Sequence, residues 1–423
     1  MRKLLVALAV VAPQLANAQA AQTTTVIRAA RLVDGSGAAP IANGVVVVRG
    51  ERIVAAGPAA SVTVPTGARV IDLGDATIMP GFIDAHTHII GRALNDPRKD
   101  GEATRDYPGL SAILGVENAR RTLFAGFTSI RNVGAPRFED VALRYAIGEG
   151  AVPGPRMQAA AHSLGITGGH CDENGFVPGM FDGDFRTGIA DGPDQVRAAV
   201  RYQVKYGADV IKTCATGGVL SEGDAVGVPQ YTYEELKAMV DEATKLERKV
   251  AAHAHGTEGI KIAVRAGVAS IEHGSFLDDE GARMMAQRGT FLVPTLMAGE
   301  TVEIAAKNGV LKGLRAEKAL AAAAAMRNGI KTAIRNNVPI AFGTDAGVGA
   351  HGANAREFEL LVEWGGMTPL QAIATANAGA AKLLGWEKDV GTLAAGKFAD
   401  IVAVRGDPTR DIKLLRTMAF VMK

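Results

Sequence analysis

Cysteine is scarce: only Cys171 and Cys214 occur in 423 residues. Two thiols cannot build the multi-bridge framework that replaces a core in small secreted domains. Cys214 falls inside an apolar run, so a packed free thiol is expected there, without a bridge to Cys171. Aromatic residues make up 5% of the chain and the formal net charge is only +2. So weak a field gives no general attraction to nucleic acid or to an anionic membrane. Beyond the first twenty residues no apolar run reaches the length that spans a bilayer. Also missing is a glycine-rich phosphate loop after the first strand of the central region, which disfavours an open, doubly wound nucleotide-binding sheet.

What is present is a large apolar fraction, 48%, with 51 glycines and 21% charged residues. That balance suits a sheet-rich α/β enzyme with many tight loops, and it excludes a disordered chain. The first residues stand apart. Arg2 and Lys3 precede the apolar run from Leu4 to Ala12, and Ala16-Asn17-Ala18 follows with small side chains. This is the pattern of a secretory signal peptide covering residues 1–18. A periplasmic or secreted protein is therefore expected, with no membrane association after cleavage.

Short β-branched runs punctuated by glycine occupy 24–76 and return over 390–423. They predict a small β-sandwich domain assembled from both chain ends. The chain stops at Met422-Lys423, where a further strand would be expected, so this sandwich is expected to be one strand short or its tail trimmed. Between the two ends, 77–389, strand-like runs alternate with helical patterns. Eight strands are predicted: Ile78–His88, Phe127–Val133, Met157–Leu164, Ala208–Thr216, Val250–His255, Ala269–Gly274, Phe291–Met297 and Pro339–Asp345. Helical patterns such as Tyr233–Arg248 and Ala316–Asn336 separate them. Eightfold strand–helix alternation predicts an α/β fold with a closed (β/α)8 TIM barrel.

In such barrels function sits at the C-terminal ends of the strands, and there the polar residues collect. His86 and His88 end the first strand; residues two apart on a strand face the same way, so both imidazoles enter one cavity. His253 and His255 end the fifth, His273 the sixth and Asp345 the eighth. Five of the chain's eight histidines thus lie at strand ends. Neutral imidazoles at these spacings can chelate divalent ions. Lys212 lies within an apolar strand, where an ammonium is costly unless paired or modified.

These residues carry a resemblance. Pro80-Gly81-Phe82-Ile83-Asp84-Ala85-His86-Thr87-His88, the Lys212, His253 and His273 strands, Gly343-Thr344-Asp345 and the glycine-bearing tail from Asn377 to Asp400 are similar to the amidohydrolase superfamily. The likeness is to its group of imidazolonepropionase-like proteins, prolidase-like dipeptidases and ochratoxinase, and it covers essentially all of the chain after the signal peptide. It implies two divalent metal ions, zinc in families of this kind, held by His86, His88, Lys212, His253, His273 and Asp345. It further implies that Lys212 is N-carboxylated and bridges the ions, and that Asp345 moves the proton during hydrolysis. Spacing alone cannot choose between His253 and His255 as ligand; the other would face substrate.

Substrate contacts are expected from His255, from His170 in the loop after the third strand, and from Tyr231 and Arg131, the last two holding a carboxylate. His162 is expected to be packed in the barrel, and His351 to belong to a lid or to solvent. Cys171 stands where the resemblance implies glycine, which bears on the shape of the third loop. The expected activity is hydrolysis of an amide bond in a dipeptide or N-acyl amino acid with a free carboxylate, ochratoxin A included. A lactonase, a deaminase or a non-catalytic binding protein on the same barrel are the competing readings. The expected partner is a small-molecule or short-peptide substrate, with no nucleic acid, and the protein is expected to form a homo-oligomer.

Overall fold

The computed structural model describes residues 23–107 and 109–423, and the expected signal peptide lies outside the described residues. Five strands come first: β1 (Thr24–Leu32), β2 (Ile41–Arg49), β3 (Arg52–Pro58), β4 (Arg69–Asp72) and β5 (Ala76–Pro80). Seven follow in the middle of the chain: β6 (Phe82–Thr87), β7 (Phe127–Asn132), β8 (Arg156–Ala159), β9 (Val210–Cys214), β10 (Lys249–Ala254), β11 (Ser270–His273) and β12 (Phe291–Val293). β13 (Ile401–Arg405) and β14 (Phe420–Met422) end the chain. No helix among the described residues is long and apolar enough to cross a membrane.

The two chain ends form one seven-stranded sheet, ordered β14-β13-β5-β1-β2-β3, with β4 paired beside the first half of β1. A bridge between Arg52 and Phe398 brings the β3 edge back towards the segment that leads into β13, so the sheet curls over its own face. Ile27, Val46, Ile53, Ile78 and Ile401 pack in that concave core, while Val26, Val45 and Val47 pack on the other side. β-branched residues fit the pleated, half-buried surfaces of such a sheet.

The predicted first barrel strand, Ile78–His88, is two strands. Ala76–Pro80 belongs to the terminal sheet, where it pairs antiparallel with β13, and the barrel begins at Phe82. Gly81 makes the turn between them: a Cβ there would collide with the Thr128 side chain. Periodicity could not show this division, because both halves are wholly buried and read as a single apolar run.

The middle of the chain is a TIM barrel beside this small domain. β6, β7 and β8 form one parallel run and β9 to β12 another. Single backbone contacts join them. Leu164 N–H donates to the Lys212 carbonyl at 2.8 Å, and Cys214 N–H donates to the Leu164 carbonyl at 2.9 Å. On the far side, residues 339–346 bond alternately to β12 and β6. Ala341 N–H reaches the Leu292 carbonyl at 3.0 Å, and Asp345 N–H reaches the His86 carbonyl at 2.8 Å. That eighth segment closes the ring. It lies so near β6 that a Cβ on Gly343 would collide with the Val293 and His86 side chains.

Helices cover the outside. The helix Tyr233–Lys245 opens with a capping box in which Thr232 and Glu235 satisfy each other's backbone N–H groups. The long helix Gly313–Arg335 buries Ala319, Ala322, Ala323 and Met326 along one stripe.

One expectation is corrected here. Cys171 and Cys214 form a disulfide, with Cα atoms 5.8 Å apart, so Cys214 is not a free thiol. The loop after β8 folds back over the end of β9, which places the two side chains within bridging range; chain position alone carries no sign of that return. The bridge closes a loop of 43 residues, and chain entropy makes it worth up to about 4 kcal/mol against the unfolded state. Replacing both cysteines by alanine is expected to lower the urea-unfolding free energy by a comparable amount.

Candidate metal centre

The C-terminal ends of the barrel strands open into a cavity of about 910 Å³, lined by His86, His88, Lys212, His253, His273 and Asp345 among others. Ligand nitrogens of His253, His255 and His273 all lie within 4.8 Å of one another, and so do those of His86 and His273 with an Asp345 oxygen. His273 belongs to both groups and joins them into one centre. Both His253 and His255 are within reach of one ion.

Hydrogen bonds orient these rings. His86 Nδ1 donates to Glu272 Oε2 at 2.7 Å, and His88 Nδ1 donates to the Gly134 carbonyl at 3.1 Å. His273 Nδ1 meets Thr295 Oγ1 at 2.7 Å and His255 Nδ1 meets Ser275 Oγ at 2.6 Å. With Nδ1 engaged, each ring turns Nε2 towards the cavity, as outer partners of metal-bound histidines do. Burial holds the histidines neutral: His88 and His255 fall to about 3, and His86, His253 and His273 fall well below the usual range. Neutral imidazole is the ligating form.

Three buried polar atoms here have no hydrogen-bond partner: His86 Nε2, His253 Nε2 and Asp345 Oδ1. Orphaned polar atoms in a buried site are costly. Asp345 Oδ1 stands 3.6 Å from His86 Nε2 and 3.5 Å from His88 Nε2, an arrangement a cation would satisfy. The donor set is nitrogen and oxygen, so the residues fit a divalent first-row ion. Burial pushes the Asp345 carboxyl up to about 7, against the opposing pull of the Lys212 ammonium. It likewise brings the Lys212 amine down to about 8. His273, Thr295 and Asp345 sit at φ +72°, +49° and +57°. Non-glycine residues enter that left-handed region at some cost, and such strain gathers at functional sites.

Arg131 and Tyr231 are corrected: neither lines the cavity. Arg131 is 2% exposed and crosses the barrel interior from β7 to the opposite strand β11. Its Nε donates to the Ala85 carbonyl at 2.6 Å and its Nη2 to Glu272 Oε1 at 2.8 Å. Together Arg131 and Glu272 form a floor beneath His86. Tyr231 is buried, and its hydroxyl donates to the Ala190 carbonyl at 3.1 Å. Arg131 thus lies beneath the site in the barrel interior and Tyr231 is packed in the hydrophobic core, which strand position alone did not reveal.

His170 does line the cavity, its ring 4.2 Å from that of His253 and its Nδ1 2.8 Å from Ser221 Oγ. His255 lines it as well. His162, expected to be packed in the barrel, is half-buried and lines the cavity too, with Nδ1 3.2 Å from Gln203 Oε1. His351 is buried, with Nε2 3.1 Å from the His88 carbonyl, so it braces the loop after Asp345 and is not exposed to solvent. Sequence reasoning passed over Glu272, Asp84 and Thr295. Glu272 had a signal: a carboxylate in an apolar strand two residues after Ser270 needs a buried cation, and Arg131 is one. Asp84 accepts from Thr344 Oγ1 at 2.6 Å and Asn354 Nδ2 at 2.8 Å, tying β6 to the eighth segment.

Comparison with known proteins comes to the same place. The model of the amidohydrolase family matches residues 77–423. Ochratoxinase from Aspergillus niger is 34% identical over 414 residues, covering 93% of this chain and 83% of that protein. Imidazolonepropionase from Symbiobacterium thermophilum is 27% identical, covering 86% and 84%. The crystal structure of a Xaa-Pro dipeptidase with methionine bound in its active site superposes with a TM-score of 0.89 at 38% identity, covering 95% of this chain and 98% of that one.

Proposed function

Since this chain belongs to the amidohydrolase family and is a hydrolase acting on amide bonds, we propose that it uses two divalent metal ions to cleave dipeptides or N-acyl amino acids bearing a free carboxylate. One observation carries this reading: His86 Nε2, His253 Nε2 and Asp345 Oδ1 are buried and unpartnered at the floor of a cavity large enough for such a substrate. Ochratoxinase and Xaa-Pro dipeptidase, by their names, act on an ochratoxin and on Xaa-Pro dipeptides, which supports a small amide with a free acid, ochratoxin A included.

His86, His88 and Asp345 would hold one ion, His253 and His273 the other, with N-carboxylated Lys212 between them. An amine lowered to about 8 by burial has an appreciable free-base fraction near neutral pH, the form that reacts with carbon dioxide. Zinc suits the donor set. Bound divalent ions would supply Lewis acidity towards the scissile carbonyl and acidify a water. The chain's own contribution is proton transfer and orientation. Asp345 accepts a proton as the new C–O bond forms, then returns it to the amide nitrogen as the C–N bond breaks. The products are a carboxylic acid and an amine. Glu272 and Gly134 hold the His86 and His88 rings in the tautomer that leaves Nε2 free. The Cys171–Cys214 bridge supports export as well, since disulfides persist in oxidising compartments.

The test is metal analysis together with a substrate screen. Metal-replete protein is expected to carry two zinc equivalents per chain and to hydrolyse members of a panel of Xaa-Xaa dipeptides, N-acyl amino acids and ochratoxin A. Chelation should abolish that turnover and zinc should restore it. Labelled bicarbonate should give a carbamate signal that is lost in Lys212→Met. Two metals with no amide turnover on any member would sink the substrate class. One metal and no carbamate would favour a deaminase.

A further inference from the structure

Arg131 and Tyr231, the residues expected to hold the substrate carboxylate, lie outside the cavity, and His170 and His255, which line it, have Nδ1 engaged by Ser221 and Ser275. We propose that Arg137, in the loop after β7, is the receptor for that carboxylate; the inference rests on the amide-hydrolase reading above and names the residue that orients its substrate.

Arg137 lines the same cavity as the metal centre. Its loop starts against a metal-centre histidine: the Gly134 carbonyl accepts from His88 Nδ1, and Arg137 follows three residues later. Two neighbouring residues, Arg137 and Phe138, hold φ +53° and +56°. Consecutive non-glycine residues in the left-handed region persist only where the surroundings impose them. Here His162 does so. Its Nδ1 is tied to Gln203 Oε1, its Nε2 accepts from the Arg137 N–H at 3.1 Å, and its ring packs edge-on to Phe138 at 4.8 Å.

The side chain is fixed as firmly as the backbone. Arg137 Nε and Nη2 both reach Glu139 Oε1, at 2.9 and 2.7 Å, and Nη2 also donates to Ser111 Oγ at 2.9 Å. Ser111 in turn donates to the other oxygen of Glu139. Glu139 and Ser111 are buried, whereas the Arg137 side chain is 56% exposed. One edge of the guanidinium is therefore anchored and its outer end faces the cavity. Nε and Nη2 are spent on Glu139 and Ser111, so Nη1 is the donor that remains, held in a fixed orientation to give a carboxylate a charge-assisted hydrogen bond.

The alternatives among the cavity cations are weaker. Lys99 and Arg137 are each paired with a carboxylate at 2.7 Å, but Lys99 is a flexible point charge whereas the Arg137 guanidinium is also fixed by Ser111, and Lys212 belongs to the metal centre. Asp172 and Glu173 also line the cavity, close to Lys99 and Glu102, so the Lys99 side is crowded with carboxylates that would repel an acid. Another part of the lining is apolar: Val219 and Leu220 after β9, Val302 on the helix Leu296–Lys307, Met326 on the helix Gly313–Arg335 and Val348 after the eighth segment. A substrate anchored at Arg137 would direct its acyl part onto this apolar wall.

The experiment measures binding by calorimetry on metal-replete protein, with L-phenylalanine and L-phenylalaninamide as probes. Wild type is expected to bind the acid more tightly than the amide. Arg137→Gln should weaken the acid by about 10- to 100-fold, the usual worth of a charged hydrogen bond, and leave amide affinity within about twofold. Arg137→Lys should fall between the two. If Arg137→Gln fails to fold because Glu139 is left unpaired, Arg137→Gln/Glu139→Gln removes the charge together with its buried partner and should show the same selective loss. Equal affinity of wild type for acid and amide, no binding of either, or an equal loss for both probes in the variants overturns the proposal. Selective acid binding in a protein that cleaves no amide would strike the substrate reading above and leave Arg137 standing.

Discussion

Asp345→Asn is expected to lower amide turnover by about 10²- to 10⁴-fold, the range that a positioned general acid–base group contributes. The substitution is nearly isosteric and keeps the backbone N–H that donates to the His86 carbonyl at 2.8 Å. Asparagine also tolerates the left-handed backbone at this position, φ +57°. Loss of fold is thus not expected, and an unchanged melting temperature would check it. The decisive pair of measurements is metal content and rate. Retained metal with lost turnover assigns proton transfer to the carboxylate, whereas metal lost in parallel with rate would reduce Asp345 to a ligand. Full turnover in the variant would remove it from the mechanism altogether.

Arg131→Met is expected to destabilise the fold by about 3–5 kcal/mol, because it leaves a buried carboxylate without its partner. Glu272 is fully buried, and its two oxygens serve Arg131 on one side and His86 on the other. Without the guanidinium, the carboxylate must either ionise unpaired or take up a proton, and both outcomes disturb the His86 ring above it. Denaturant unfolding would show the loss, and Arg131→Met/Glu272→Gln should recover part of it by removing the second charge. Had Arg131 bound substrate, the variant would instead keep its stability and raise KM for acids alone.

These two residues show what was legible in the chain and what was not. Strand ends could be placed from apolar runs, and the barrel rule then predicted which polar side chains meet; His86, His88, His253, His273 and Asp345 do face one cavity. Lys212 was legible for a different reason, since a buried amine demands an explanation. Arg131 failed because its strand position says only that it lies within the barrel. Whether such a side chain points up to the mouth or across the interior depends on a partner four strands away, Glu272, and no local pattern encodes that distance. Tyr231 failed similarly, its hydroxyl being claimed by the Ala190 carbonyl in a distant loop. Arg137 carries no local signal either, because its left-handed turn is held by His162, 25 residues further along the chain. The split of Ile78–His88 was hidden because two different cores bury one continuous run.

The Cys171–Cys214 bridge has a practical consequence. It fastens the residue after His170 to the strand end two residues beyond Lys212, so the third loop is covalently part of the wall of the candidate metal-site cavity. Protein matured in an oxidising compartment and protein produced in a reducing cytosol are then two chemical species that differ in the lining of this cavity, although their sequences are identical. Reducing agents added during purification would convert one into the other, and a thiol-based buffer would compete for metal besides. Activities compared between laboratories, or between expression hosts, are comparable only when the thiol count of each preparation is known. A titration of free sulfhydryl groups therefore belongs beside every rate measured on this enzyme.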